Sequence, residues 1–226
     1  MQTKTAHTPA LQTTMEIRTK KELRFYLKAD LMMNRGKFSW TFAERLHHIV
    51  TPDLIMSYLE AMRKYSYYRH GDTSLFARPQ KAYWRRRYSS LGVRLGFTIG
   101  EDVLGYGVVI PHYGTIVVGG NNRIGNFAVL HTSTCIAANG KVIGDGLFLA
   151  TGAKMTSKLV LGNNVSVGAN SLVNKSIAGD NMLIAGMPAV KIKEAPAWYI
   201  RNGEDYTERV RQVNDLREKE SGSINV

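Results

Sequence analysis

From Leu95 onward the chain keeps a six-residue beat, and that beat excludes most folds. Written in sixes, one stretch reads IGNFAV (124–129), LHTSTC (130–135) and IAANGK (136–141). After a one-residue slip it continues as IGDGLF (143–148), LATGAK (149–154), MTSKLV (155–160), LGNNVS (161–166) and VGANSL (167–172). An upstream pair is LGYGVV (104–109) and IPHYGT (110–115). The leading residue is a branched or long apolar one, often followed by Gly, and the fifth place is small or branched: Ala128, Thr134, Ala153, Val165, Ser171. A period of six does not fit the 3.6-residue helix, but it preserves the two-residue alternation of strands from one unit to the next. Short strands of this kind wrap into a solenoid in which every leading residue points inward and each coil stacks on the last. Three sixes close a triangular coil, so this stretch makes about five coils at the usual strand spacing of about 4.8 Å. Gly after each leading residue is expected to turn a corner through positive φ. A β-sandwich would place its turns every 8–12 residues, which this sequence does not do.

The preceding segment has a different pattern. Thr19 followed by Glu22 forms a capping-box signature, and Leu23, Leu27, Asp30, Leu31 and Asn34 trace a helix that stops near Gly36. A second helix is expected over Trp40–Val50, with Pro52 in the first turn of a third. Leu54, Tyr58, Met62 and Tyr65 then recur at helical spacing. The basic segment from Pro79 to Leu91 interleaves Tyr83, Trp84 and Tyr88 with Lys81, Arg85, Arg86 and Arg87. Such interleaving suits nucleic acid, but with no accompanying motif the aromatics read as packing residues and the charges as solvated faces. Residues 204–219 read as a loosely docked terminal helix. The expected organisation is a mobile tail over 1–14, a helical domain over 15–94, the β-solenoid over 95–193, and a C-terminal helix and tail over 194–226.

With 44% hydrophobic residues the chain can bury a core. Its net charge of +12 favours polyanionic or phosphorylated partners without choosing among them. One cysteine, Cys135, excludes an intrachain disulfide and reads as a buried, inert thiol. No apolar run is long enough to cross a bilayer and no secretory signal is apparent, so a cytoplasmic location is expected. No Cys/His cluster has metal-ligand spacing, so no metal is expected. His47 and His48 lie in the helical segment and read as structural or surface groups.

The segments at 110–136, 144–155 and 167–193 resemble the left-handed β-helix acyltransferases with hexapeptide repeats, and within them the serine acetyltransferase-like branch. KELRFYLKADLMMNRG (21–36) resembles the helical region of the same branch. Handedness comes from this resemblance, since parallel connections are otherwise right-handed. The resemblance implies an acetyl-CoA-dependent O-acetyltransferase and a homotrimer with sites between adjacent solenoids. His112, in PHYGT, matches the family's catalytic base; an imidazole titrating near neutrality can take the acceptor's hydroxyl proton and return it to the leaving thiolate. His131, one coil further on, is a second catalytic candidate. Gly152, Ala153 and Lys154 match the turn beside the pantetheine arm, Gly168 and Ala169 the small turn of the next coil, and Lys191 and Lys193 are candidates for the CoA phosphates.

The match breaks in three places. Pro111 stands where the serine enzymes place an Asp before the base, Phe97-Thr98 where a second Asp would orient it, with Glu101 or Asp102 as possible replacements. AANGK (137–141) is shorter than the family's loop carrying an Arg-His pair. These are the groups expected to hold serine's ammonium and carboxylate. The expected acceptor is therefore a saccharide hydroxyl, such as that of a polysaccharide precursor. Serine O-acetylation, N-acetylation of an amino sugar, and a non-catalytic β-helix binding module are the alternatives.

Overall fold

The computed structural model describes residues 15–72 and 74–222; the expected tail over 1–14 lies outside them. Four helices come first: α1 (Lys20–Arg35), α2 (Phe42–Val50), α3 (Leu54–His70) and α4 (Ala77–Leu95). The capping box of α1 forms as the sequence indicates, with the Thr19 side chain accepting from the Glu22 N–H, and Gly36 closes the helix in the left-handed conformation. Pro52 is not in the first turn of α3. Asp53 caps that helix by accepting from the Met56 N–H, which leaves Pro52 one residue outside it. The stripe of α3 is buried at Tyr58, Met62 and Tyr65, and Tyr88 of α4 packs its ring against Tyr58 and Tyr65. Arg85, Arg86 and Arg87 are exposed, as expected of a solvated face.

The chain then winds into a three-faced solenoid. The first face holds β1 (Phe97–Ile99), β2 (Ile116–Val118), β5 (Thr134–Ile136), β8 (Lys154–Met155) and β11 (Leu172–Val173). The second holds β3 (Arg123–Ile124), β6 (Val142–Ile143) and β9 (Val160–Leu161). The third holds β4 (Val129–Leu130), β7 (Phe148–Leu149), β10 (Val165–Val167), β12 (Met182–Gly186) and β13 (Ala189–Glu194). All pairings are parallel except β12 with β13.

The leading residues form the core. Leu104, Ile110, Ile124, Leu130, Ile136, Ile143, Leu149, Met155, Leu161 and Val167 are all 0–2% exposed, and the small fifth-place residues are buried beside them. The glycine after each leading residue does not turn the corner. Positive φ falls instead on the fourth place, at Phe127, Ser133, Gly146, Gly152, Asn164 and Asn170. Gly125, Gly144 and Gly162 are small because the next coil is too close: a Cβ would lie 2.0–2.5 Å from the Oδ1 of Asp145, Asn163 and Asp180 respectively. Those oxygens accept backbone N–H groups of the coil below, Asn126 to Asp145, Asp145 to Asn163 and Asn163 to Asp180. This ladder satisfies a corner where strand pairing has lapsed.

The chain ends in α5 (Trp198–Arg201) and α6 (Glu204–Gly222). The terminal helix is firmly docked rather than loose: Val210 and Val213 are buried with Phe25, Ala29 and Met33 of α1, and Trp198 donates its indole N–H to the Phe127 carbonyl at 2.8 Å. Among the described residues, no helix is long and apolar enough to cross a membrane.

Candidate active site

The sequence-predicted residues of the solenoid gather along one edge, where the third face passes into the first. His112 lies on the coil between Ile110 and Val118, His131 follows Leu130 on the next, Gly152-Ala153-Lys154 sits on the third, and Gly168-Ala169 on the fourth. From the first of these coils to the fourth is about 14 Å along the axis at the usual spacing.

His112 is displaced outward by a local insertion that the six-residue reading missed. Val109 pairs with Val129, while Val118 pairs with Ile136, so this corner holds two residues more than the one above it. The leading residue after Ile110 is therefore Val118, which pairs with Ile136, while the buried Ile116 takes the fifth place beside Thr134. Both ends of the insertion are tied down. On one side, Asn34 of α1 donates to the Val108 carbonyl at 2.7 Å and accepts from the Ile110 N–H. On the other, the Gly114 N–H donates to the Leu95 carbonyl at 2.9 Å, at the end of α4. Gly114 sits at φ 134 with Thr132 close above, a position that needs glycine. The helical region thus holds the loop that presents His112. Pro111, His112 and Tyr113 are exposed, and His112 makes no side-chain hydrogen bond to another described residue.

His131 is half-buried and packs against Phe148, with ring centroids 5.1 Å apart. Its pKa lies below the usual imidazole value because burial penalises the charged form and because His112 is near enough to add like-charge repulsion. The fold therefore brings the two histidines together.

Glu101 and Asp102 do not replace the missing acids. They lie on the corner between the first and second faces, where Glu101 pairs with Arg69, and Asp102 binds both the Ser66 hydroxyl and His70. Gly152 and Ala153 are buried, and Gly152 answers first to its own backbone, at φ 76 with Asn170 close by. Lys154 is exposed and donates to the Gly152 carbonyl. Gly168 has no room for a Cβ, which would lie 2.9 Å from that of Ala185; Ala169 is exposed. Lys191 and Lys193 lie exposed on β13, Lys191 paired with Glu194.

Cys135 is not fully buried: it precedes the inward Ile136, so alternation turns it outward between Val117 and Lys154. His48 packs on Trp40 and accepts the Asp53 N–H, a structural role. Among the described residues no cluster of three or more His, Cys, Asp or Glu could hold a metal ion. Sequence reasoning missed Lys141, which is buried and donates to the Ala137 carbonyl, bracing the shortened loop. It also missed Arg201, beside Phe148.

No family model matches the chain. A serine acetyltransferase from Staphylococcus xylosus is 29% identical over 116 residues, 48% of this chain and 51% of that protein. The chain spans about half the length of the curated relatives it matches. Among solved structures, a soybean serine acetyltransferase complexed with serine superposes with a TM-score of 0.53 at 17% identity, covering 76% of this chain and 84% of the other. A Brucella abortus serine acetyltransferase in complex with coenzyme A gives 0.52 at 18% identity, covering 77% and 68%. In fold, the chain is a parallel β-solenoid of hexapeptide repeats similar to those of serine acetyltransferases, with a helical region before the solenoid and a helix after it.

Proposed function

We propose that the chain is an acetyl-CoA-dependent O-acetyltransferase in which His112 acts as general base. The observation that carries this reading is the anchored two-residue insertion, which puts an unengaged imidazole at the site edge, one coil below His131. Acetyl-CoA supplies the activated acetyl group. His112 takes the acceptor's hydroxyl proton as the oxygen attacks the thioester carbonyl, and returns it to the departing thiolate. Base assistance of this kind is worth about 10²–10⁴-fold. His131, whose lowered pKa keeps it neutral near pH 7, serves as a hydrogen-bonding partner for the acceptor. Lys154, Lys191 and Lys193 flank the CoA arm and its phosphates.

L-Serine is the acceptor the relatives favour, since the matching proteins are serine acetyltransferases and one of the superposed structures holds serine. A saccharide hydroxyl is the second reading. It is favoured by Pro111 preceding the base and by the engagement of Glu101 and Asp102 at another corner, which leaves the serine ammonium without those partners. A homotrimer and a cytoplasmic setting belong to the same proposal, the latter in keeping with a single cysteine. The test is CoA thiol release by wild type and His112→Ala with L-serine and a panel of sugars and nucleotide sugars. Acceptor-dependent release that falls about 100-fold or more in the variant supports the proposal. Release that is unchanged in the variant removes His112 from the mechanism, and the acceptor that supports turnover decides between the two readings.

A further inference from the structure

The outward column of the third face runs in register through Val129, Phe148, Ser166 and Leu183. Val129 is covered by the cluster around Trp198 and the terminal helix. Phe148 packs against the same cluster but is only partly buried: one side of its environment is the His131 ring, at 5.1 Å, and another is the Arg201 guanidinium, whose Cζ lies 5.8 Å from the ring centroid. Arg201 is held there at both ends. Its backbone belongs to α5, whose Trp198 is buried and hydrogen-bonded to the Phe127 carbonyl, and its Nη2 donates to the buried Ser166 hydroxyl.

Those contacts use one guanidinium nitrogen. Arg201 pairs with no described carboxylate, and the residue as a whole is exposed. Lys191, on the third face, is by contrast paired with Glu194. Folding alone does not call for a cation at this place. A neutral side chain would satisfy Ser166, and packing against Phe148 needs no charge.

We infer that Arg201 is a specificity-determining residue that binds a carboxylate on the acceptor, so that the hydroxyl to be acetylated belongs to a hydroxy acid: either a hydroxyl amino acid or a uronic-type sugar. The inference rests on the proposed acetyl transfer at His112. A planar guanidinium with free N–H groups matches a carboxylate in geometry and charge. Phe148 is the spacer. It separates the charge that holds the acceptor from the imidazoles that act on it, and it supplies an apolar floor for the carbon skeleton between them. Both sources of carboxylate share this chemistry, so the inference does not depend on which acceptor is the natural one.

The experiment measures equilibrium binding by titration calorimetry, apart from turnover. Two matched pairs serve as probes: L-serine against L-serinamide, and glucuronate against glucose. Wild type, Arg201→Ala and Arg201→Lys are compared, with circular dichroism confirming that each is folded. At least one carboxylated probe is expected to bind wild type more tightly than its neutral partner. In Arg201→Ala that affinity drops about 10- to 150-fold, the range for a hydrogen bond to a charged group, while the neutral partner is unaffected. Arg201→Lys keeps part of the preference. If the alanine variant changes both members of a pair equally, changes neither, or if wild type shows no preference for carboxylate, the inference is wrong. Turnover is read separately. Binding that discriminates without thiol release sinks the acetyl-transfer proposal and leaves the carboxylate site at Arg201 standing. Thiol release at equal KM for neutral and carboxylated acceptors, in wild type and in Arg201→Ala, does the reverse.

Discussion

Replacing Asp30 with alanine removes the counter-charge of a cation that has nowhere to go. Arg63 is 0% exposed and Asp30 1%. The carboxylate accepts from Arg63 Nε at 2.9 Å and Nη2 at 3.4 Å, and from the Gly107 and Val108 N–H groups at 2.8 and 3.1 Å. Arg63 also donates to the Leu104 and Gly105 carbonyls, and its guanidinium lies over the Tyr26 ring. These contacts join α1 and α3 to the first full coil. Breaking a buried ion pair by removing one partner costs about 3–5 kcal/mol. For a chain of this length each kcal/mol lowers Tm by about 2–4 °C, so Asp30→Ala is expected to melt about 6–20 °C below wild type by circular dichroism. The double variant Asp30→Leu/Arg63→Met removes both charges. It should lose less than Asp30→Ala alone, because no bare charge remains. A fall under about 3 °C for the single variant, or a double variant that loses the sum of both singles, refutes the account of this pair as a mutually compensated, buried unit.

Four further outcomes follow from the geometry. His131 titrates below the ordinary imidazole range through burial first and His112 second; His112→Ala is therefore expected to raise the His131 pKa in an NMR titration without restoring it fully. A folded-state pKa below the unfolded one means that the unfolded chain binds more protons, so stability is lost as pH falls from about 6.5 through the folded value; the slope of Tm against pH in that window should shrink in His131→Gln, and an unchanged slope removes His131 as its source. Gly162→Ala places a Cβ 2.0 Å from Asp180 Oδ1 and should lower Tm clearly, whereas Gly120→Ala, with nothing within 4 Å, should leave it level or raise it slightly; equal effects refute the reading of the corner ladder. In α2, Phe42 and Ile49 are each 78% exposed and no residue is buried, so Phe42→Ser with Ile49→Ser should leave Tm at low protein concentration within about 2 °C of wild type.

The solenoid was legible because its period sorts residues by direction: each of the sixes has one inward place, and Ile110, Leu130 and Leu149 occupy it as read. Helix α1 was legible from Thr19, Glu22 and Gly36, since caps are local chemistry. What the period could not show is where it pauses. The insertion around His112 conserves neither length nor apolar character, and Ile116 imitates a leading residue two places before the true one, Val118. The glycines misled in a related way. Their spacing was visible, but whether a Gly serves backbone twist or a neighbour's closeness depends on the next coil, some eighteen residues away. Asp30 and Asn34 looked like ordinary members of an amphipathic pattern, and their bonds to Gly107, Val108 and Ile110 span more than seventy residues. Arg201 had no periodic neighbour to mark it. Its place beside Phe148 comes from the docking of α5, whose Trp198 indole is buried.

The reversal at β13 bears on how long such a structure can grow. A stack of parallel coils ends in a bare strand edge that another stack could extend, and repeat architectures with open ends are prone to polymerise. Here the last strand of the third face turns back and pairs antiparallel, with a shift in register at Leu183 and Ile184. An incoming coil would meet strand polarity opposite to its own and a rim carrying Lys191 and Lys193. The chain thereby sets its own number of coils, and truncation before Ala189 should convert a discrete particle into one that assembles end to end.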